Sequence, residues 1–255
     1  MIKYEVEEYI AYITLNNTQE FNAITPSMKE EFYKYLLKSE KDENVKVVII
    51  NGKGKHFCSG SNVKKMGDRT VQQTINHMHN FNEIIKHIYS SEKIFITAIQ
   101  GYCIGGGVGL ALASDINYAT KDIQIGFTFT KIGLIPDCGT LYHLPRLVGK
   151  RKAKELIFNA KMIEAKEAFN LGLINEIVES DQLMDKALSH AKELLKGPSL
   201  ALSWSKKIIN QSDNNTLESV LEFERLGQTV MQQSSDHKEG VNAFKEKRKP
   251  VFSGE

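Results

Sequence analysis

Residues 94–113 read IFITAIQGYCIGGGVGLALA, and this stretch decides the fold class. Its first six residues, Ile94 to Ile99, are apolar and mostly β-branched, which is typical of a strand buried on both faces. A glycine-rich turn, Gly101 to Gly109, follows, and the small apolar residues after it predict a helix. A buried strand that passes through a tight turn into a helix indicates a parallel, right-handed α/β fold.

The same pattern extends outward from this stretch. Five other segments of the first half also predict strands, and helical spacing lies between them. After Pro136 the sequence predicts mainly helices, with one strand signal at Leu173 to Val178. We therefore expect a single α/β domain with a helical extension. The further strand segments of the first half are Ile2–Val6, Tyr9–Leu15, Val45–Ile50, Ile116–Ala119 and the short Ile123–Phe127.

Composition excludes several classes of protein. The chain has 255 residues, with 33 Lys and Arg against 31 Asp and Glu, so it has no strongly basic field to hold nucleic acid. No apolar run reaches the roughly 20 residues of a membrane span, and the opening MIKYEVEEY lacks the apolar core of a signal peptide. We expect neither a nucleic-acid nor a membrane partner.

The three cysteines are far apart and form no C-x-x-C motif. Their odd number and spacing argue against a disulfide framework or a zinc ribbon, so we predict no metal site. A reduced, cytoplasmic compartment fits this cysteine usage best. The three residues are Cys58, Cys103 and Cys138.

Two glycine-rich loops are the candidate functional segments, His56–Asn62 and Gly101–Gly109. Each follows a predicted buried strand, and ligands of parallel sheets bind beyond the carboxyl ends of strands. Free backbone N–H groups there could form an oxyanion hole; tight structural turns are the alternative. A dinucleotide fingerprint is disfavoured because its third glycine is Leu110, and a Cys58 nucleophile paired with His56 lacks an orienting group.

Longer motifs identify the chain as resembling the crotonase superfamily, the enoyl-CoA hydratases and isomerases. The resemblance implies a spiral of ββα units over residues 1–195 and a C-terminal helical trimerisation region over residues 196–255. It also implies an acyl-CoA substrate, a homotrimer or dimer of trimers, and no cofactor, since coenzyme A belongs to the substrate. The motifs are FNAI (21–24), VVIINGKGKHFCSGSN (47–62), AIQGYCIGGGVGLALASD (98–115), FTKIGLIPDCGTLYHLPRLVG (129–149), EAFNLGLINEIV (167–178) and EGVNAFKEKRKPVF (239–252).

The resemblance also implies site residues. The N–H groups of Ser61 and Gly106 would stabilise the enolate of the thioester. Phe129 and Tyr142 are expected to shape the acyl pocket, and a neighbouring subunit would supply Phe244 and Lys247 to coenzyme A. The other residues expected to bind substrate or coenzyme A are Asn22, Ala23, Ser59, Gly60, Lys65 and Gly105.

The chain departs from the hydratases of this family at both catalytic glutamates. Gly109 and Phe129 stand at those two positions, and Asn62 replaces the usual aspartate of the G-x-D segment. Asp137 is the carboxylate that remains, at a position that is catalytic in members resembling ring-opening epoxide isomerases and aroyl-CoA dehalogenases. A single carboxylate can move a proton from one carbon to another, which favours double-bond or ring isomerisation.

Three alternatives remain open from the sequence. Asp137 follows Pro136 and could simply bond its own turn. The chain could be a hydratase that uses another acid. It could also be a non-catalytic acyl-CoA-binding protein.

Overall fold

The computed structural model describes residues 1–63, 66–67 and 70–254, which build two β-sheets flanked by helices. The larger sheet has six strands in the order β1-β2-β3-β4-β6-β9, and the smaller has three in the order β5-β7-β8. Within the larger sheet only the β1/β2 pair is antiparallel. The strands are β1 Ile2–Glu7, β2 Ile10–Leu15, β3 Val47–Gly52, β4 Ile94–Ile99, β5 Tyr102–Ile104, β6 Ile116–Thr120, β7 Gln124–Gly126, β8 Met162–Glu164 and β9 Glu176–Val178.

The helices of the described part of the chain cover both faces of the larger sheet and continue into a C-terminal group. They are α1 Pro26–Lys41, α2 Val71–Ser90, α3 Gly106–Ala113, α4 Thr140–Phe158, α5 Ala165–Asn170, α6 Leu183–Leu195, α7 Ser199–Ser212, α8 Leu217–Met231 and α9 Ser235–Lys245. None of the described helices is both long and apolar enough to cross a bilayer.

Strands β3 and β4 are mainly apolar because each contributes to two cores. One face packs into the main core with Leu36, Ile84 and Ile88. The other face packs under α6, whose Ala187 and Ala191 are fully buried. A strand buried on both faces needs a continuous apolar run, so the sequence pattern and the packing agree.

The chain repeats a β–β–α unit that crosses between the two sheets. The units β4–β5–α3 and β6–β7–α4 each place their first strand in the larger sheet and their second in the smaller. The α/β fold with ββα units is therefore confirmed. The sequence did not predict β5 or β8, since three residues are too few to show a period.

Local signals set the helix starts near the site. The Thr25 hydroxyl accepts a hydrogen bond from the Met28 N–H at 3.2 Å, with Pro26 as the first helical residue of α1. Thr70 and Gln73 form a capping box at the start of α2. Helix α4 consists of two helical segments that meet at Gly149, where the backbone is non-helical, with φ of 77° and ψ of 154°.

Candidate active site

The loops after β3 and β4 run side by side. Cys58 donates its N–H to the Tyr102 carbonyl at 2.9 Å, and Ile104 donates to the Cys58 carbonyl at 2.8 Å. Gly60 has a φ of +83°, and a Cβ there would lie 2.9 Å from the Ile104 carbonyl oxygen. Only glycine fits both the conformation and the close approach, so Gly60 lets the two loops touch.

This contact brings Ser61 and Gly106 to one small cavity of about 90 Å³, which Asp137 also lines. Gly106 is the first residue of α3, where a helix leaves its N–H groups without intrahelical acceptors. Among the described residues, neither the Ser61 nor the Gly106 N–H donates to a protein acceptor. Two backbone donors are therefore available beside one carboxylate.

Asp137 sits in the turn that leads into α4. The turn is closed by the main chain, because the Thr140 N–H donates to the Asp137 carbonyl at 2.9 Å. The carboxylate oxygen Oδ1 is buried and has no hydrogen-bond partner among the described residues. A buried polar atom without a protein partner is uncommon, and its usual partners are then a water, an ion or a bound ligand.

A second cavity of about 640 Å³ borders the first, and Ser61 and Asp137 line both. Of the described residues that line either cavity, Asp137 is the only acid. The walls are mainly apolar and come from the 134–142 segment and one face of α2. The α2 residues lie three, four and eight positions from the first of them, as one helical face requires: Thr74, His77, Met78 and Asn82.

His77 is a cavity residue that the sequence interpretation missed. Its Nε2 lies 2.9 Å from the Nζ of Lys29, which is 2% exposed. The same ammonium lies 4.8 Å from the centroid of Phe81. The partners come from α1 and α2, 48 residues apart, so no local motif could indicate this pair.

The structure describes Gly109 and Phe129, the two positions at which the resemblance leads us to expect glutamates. A Cβ at Gly109 would lie 2.3 Å from the Cys138 carbonyl oxygen, so no side chain fits at this position. Phe129 is buried, and its ring forms part of the wall of the smaller cavity. Neither position presents a polar group to the cavities.

The residues expected to bind coenzyme A fall into three groups. Ser59, Gly60 and Gly105 line the small cavity. Asn22 and Ala23 are buried nearby, and the Asn22 side chain donates to the carbonyls of Lys53 and His56 at 3.0 and 2.7 Å. That side chain holds the loop together, and the N–H groups of Asn22 and Ala23 donate to the carbonyls of Asn17 and Glu20. Lys65 lies outside the described residues, as does Lys64.

Phe244 and Lys247 do not reach these cavities within their own chain. Phe244 is 86% exposed and lines a separate cavity of about 870 Å³ between α7, α8 and α9. Lys247 follows α9 and is exposed. Tyr142, in contrast, lines the 640 Å³ cavity as expected.

The thiols of the three cysteines are poorly reactive. Burial raises the pKa of Cys58 to about 12 and raises the pKa values of Cys103 and Cys138. His56 does not serve Cys58 as a base, because its ring stacks on Tyr102 and its Nδ1 accepts the Tyr102 N–H at 3.1 Å. A protonated thiol is a poor nucleophile, so a cysteine mechanism is not supported.

Comparison with known proteins agrees with this geometry. The chain is 32% identical over 256 residues to the 1,2-epoxyphenylacetyl-CoA isomerase of Escherichia coli K12, over 98% of this chain and 97% of that protein. It is 30% identical over 251 residues to the (E)-benzylidenesuccinyl-CoA hydratase of Thauera aromatica, over 98% of each. The crystal structure of an enoyl-CoA hydratase from Bacillus anthracis superposes with a TM-score of 0.95 at 30% identity, covering 100% of this chain and 99% of that one.

A sequence model of enoyl-CoA hydratase/isomerase matches residues 5–255. With the paired glycine loops and the ββα units in place, the chain belongs to the enoyl-CoA hydratase/isomerase family, the crotonase superfamily.

Proposed function

We propose that this enzyme isomerises an acyl-CoA by moving a proton between two carbons of the acyl group, with Asp137 as acid and base. One observation carries the proposal: Asp137 is the only acid among the described residues lining the two cavities, and it shares the smaller one with Ser61 and Gly106. A carboxylate beside two free N–H donors is the arrangement that enolate chemistry requires.

The reaction follows from this arrangement. The thioester oxygen accepts hydrogen bonds from the Ser61 and Gly106 N–H groups, which stabilise the negative charge as an enolate forms. The Asp137 carboxylate takes a proton from one carbon and returns it to another, so the double bond moves or a ring rearranges. Each donor is worth about 3 kcal/mol in the transition state of comparable sites.

The size and lining of the larger cavity are suited to a bulky or aromatic acyl group. Its volume is about 640 Å³, and its lining includes Leu134, Ile135 and Leu141. The two relatives described above carry names of CoA thioesters with a phenyl group. We expect phenyl-bearing acyl-CoAs to bind more tightly than acetyl-CoA, since burial of apolar surface is favourable.

Hydration is the second candidate, because one of those relatives is named a hydratase. Adding water needs a group to direct the water as well as a proton source. Gly109 has no room for a side chain and Phe129 has no titratable group. Isomerisation requires only one carboxylate and is therefore the favoured reaction.

Product analysis separates the two reactions. The purified enzyme is incubated with 3-hexenoyl-CoA and, separately, with 2-hexenoyl-CoA, and the products are followed by proton NMR. Isomerisation predicts conversion between the 2- and 3-enoyl thioesters without 3-hydroxyacyl-CoA. Rapid formation of the hydroxy product would support a hydratase, and tight acyl-CoA binding without turnover of enoyl or epoxyaryl substrates would indicate a non-catalytic binder.

We also propose a homotrimer or a dimer of trimers in which a neighbouring subunit supplies Phe244 and Lys247 to coenzyme A. Two observations support this proposal. Neither residue lines the two cavities that Asp137 lines in the same chain, and Phe244 is 86% exposed. An exposed aromatic side chain beside an apolar groove is typical of a protein interface. Coenzyme A enters as part of the substrate, and no separate cofactor is invoked.

A further inference from the structure

Tyr142, which lines the larger cavity, is joined to the helical extension by a chain of hydrogen bonds. Its hydroxyl lies 3.1 Å from that of Tyr89, at the end of α2. The Tyr89 hydroxyl donates to the carbonyl of Asn210 in α7. Asn214, just after α7, donates its Nδ2 to the Tyr142 hydroxyl at 2.9 Å.

The donor and the acceptor of each hydrogen bond in this series can be assigned. A carbonyl can only accept, so Tyr89 uses its single hydroxyl proton on Asn210. Tyr89 must then accept from Tyr142, whose own oxygen accepts from Asn214. Arg146 Nη2 lies 3.3 Å from Asn214 Oδ1, which fixes that amide with its nitrogen toward Tyr142.

The ring of Tyr142 is held as firmly as its hydroxyl. The Arg146 guanidinium carbon lies 3.6 Å from the ring centroid, and Arg146 Nε lies 3.4 Å from a carboxylate oxygen of Asp213. Burial and the neighbouring Tyr142 raise the pKa of Tyr89, so its proton stays in place. Tyr142 therefore donates its hydroxyl proton to Tyr89. Its ring can act only as a wall of the cavity.

We infer that Tyr142 is a specificity-determining residue whose position is set by the end of α7 through Tyr89 and Asn214. This inference rests on the proposed function only in that the cavity holds the acyl group. The helical extension thereby fixes the cavity wall that separates bulky from small acyl groups. Tyr89 and Asn214 act through Tyr142 and are positioning residues.

The test measures binding, which does not depend on turnover. Dissociation constants for phenylacetyl-CoA and acetyl-CoA are determined by calorimetry, and their ratio reports selectivity. For Asn214→Ala and Tyr89→Phe we expect the preference for phenylacetyl-CoA to fall about fivefold, within the range that pocket fit controls. Asn215→Ala is the matched control, because the Asn215 side chain donates only to the Gln211 carbonyl among the described residues, and its ratio should match the wild type.

Thermal unfolding of each variant separates positioning from folding. A lower melting temperature with an unchanged selectivity ratio would overturn the inference and leave a purely structural network. If Asn214→Ala or Tyr89→Phe fails to fold, Tyr142→Phe keeps the ring and removes only the hydroxyl, and the same fall in preference is expected. Failure of wild-type isomerisation would refute the proposed function but would not alter these binding ratios.

Discussion

At the scale of single residues, the absence of a side chain at Gly109 and the position of Asp137 have the same structural cause. The carbonyl oxygen and Cβ of Cys138 lie 2.3 and 2.4 Å from where a Cβ at Gly109 would stand. Cys138 itself has a φ of +51°, which non-glycine residues rarely adopt. The turn that presents Asp137 therefore occupies the space of a side chain at 109, and the two features depend on each other.

Gly109→Ala is predicted to destabilise the fold by about 1–3 kcal/mol or more, because it forces a methyl group into packed backbone. Urea unfolding measures the change. Gly67→Ala is the control, since a Cβ at Gly67 meets nothing within 4 Å, and it should be nearly neutral. Equal stability of both variants would contradict the described packing of the Asp137 turn.

Restoring a glutamate should not restore hydration. Gly109→Glu is expected to unfold or displace the Asp137 turn and to lose isomerase activity without gaining water addition to 2-hexenoyl-CoA. Folded Gly109→Glu enzyme that hydrates this thioester would show that position 109 has room for a carboxylate after all.

At the scale of elements, α4 carries both the cavity wall and a buried histidine. Burial and the nearby Arg146 lower the pKa of His143 to about 4. The unfolded chain takes up this proton near pH 6.5 and the folded chain only near pH 4. Stability should therefore fall as the pH drops through this window, by up to about 3 kcal/mol at pH 4 and below.

Unfolding free energies of wild type and His143→Gln between pH 7 and pH 4 check this expectation. The wild type should lose stability across the window, and the variant should show a shallower slope. Desolvation alone would raise the pKa of Glu40, but the Ser91 hydroxyl that donates to it and the His87 ring 3.3 Å away lower this pKa to about 2. Its contribution is lost below pH 4.5 and lies outside most of the window. Identical slopes would contradict a neutral, buried His143.

The elements themselves were largely predictable, whereas the walls of the site were not. Long apolar runs predicted β3 and β4, and Thr25 with Pro26 is the local signal at which α1 begins. The partners of Tyr142 are 53 and 72 residues away in sequence. Such contacts follow from the packing of α2, α4 and α7, which no local period encodes.

The position of Asp137 came from its motif, yet its surroundings needed the structure. The buried, unpartnered Oδ1 and the cavity shared with Ser61 and Gly106 are tertiary facts. The role of Asp137 and the division at residues 195 and 196 stay predictions, as does the cytoplasmic location.

At the scale of the whole molecule, a buried ion pair fastens the helical extension to the sheet. Lys206 of α7 donates to a carboxylate oxygen of Asp115 at 2.8 Å and to the carbonyls of Ile88 and Lys93. The side chains of Lys206 and Asp115 are only 5% and 18% exposed. Loss of one partner leaves the other charge buried, which is costly.

Lys206→Met should lower the unfolding free energy by about 3–5 kcal/mol. The double variant Lys206→Met with Asp115→Asn should recover part of the loss, because it removes the unpaired charge. Chemical unfolding of both variants provides the measurement. A double variant less stable than the single one would argue against an electrostatic cause.

Assembly is tested at Phe244. Phe244→Ser is predicted to weaken acyl-CoA binding about tenfold, if a neighbour's aromatic ring contacts coenzyme A at the strength usual for buried interface side chains. Calorimetry gives the affinity and analytical ultracentrifugation the mass. Val6→Ser changes another exposed apolar residue, 40% exposed on β1, and should leave both unchanged. A wild-type enzyme that is monomeric and still binds acyl-CoA tightly would refute the shared site.

In the proposed reaction Asp137 moves the proton, and Asp137→Asn tests this role most directly. The amide keeps the size of the side chain but cannot accept the proton. We predict that the rate of double-bond migration in 3-hexenoyl-CoA falls by about 10²–10⁴-fold, while the dissociation constant of phenylacetyl-CoA changes little. An Asp137→Asn enzyme that isomerises at the wild-type rate would contradict the account.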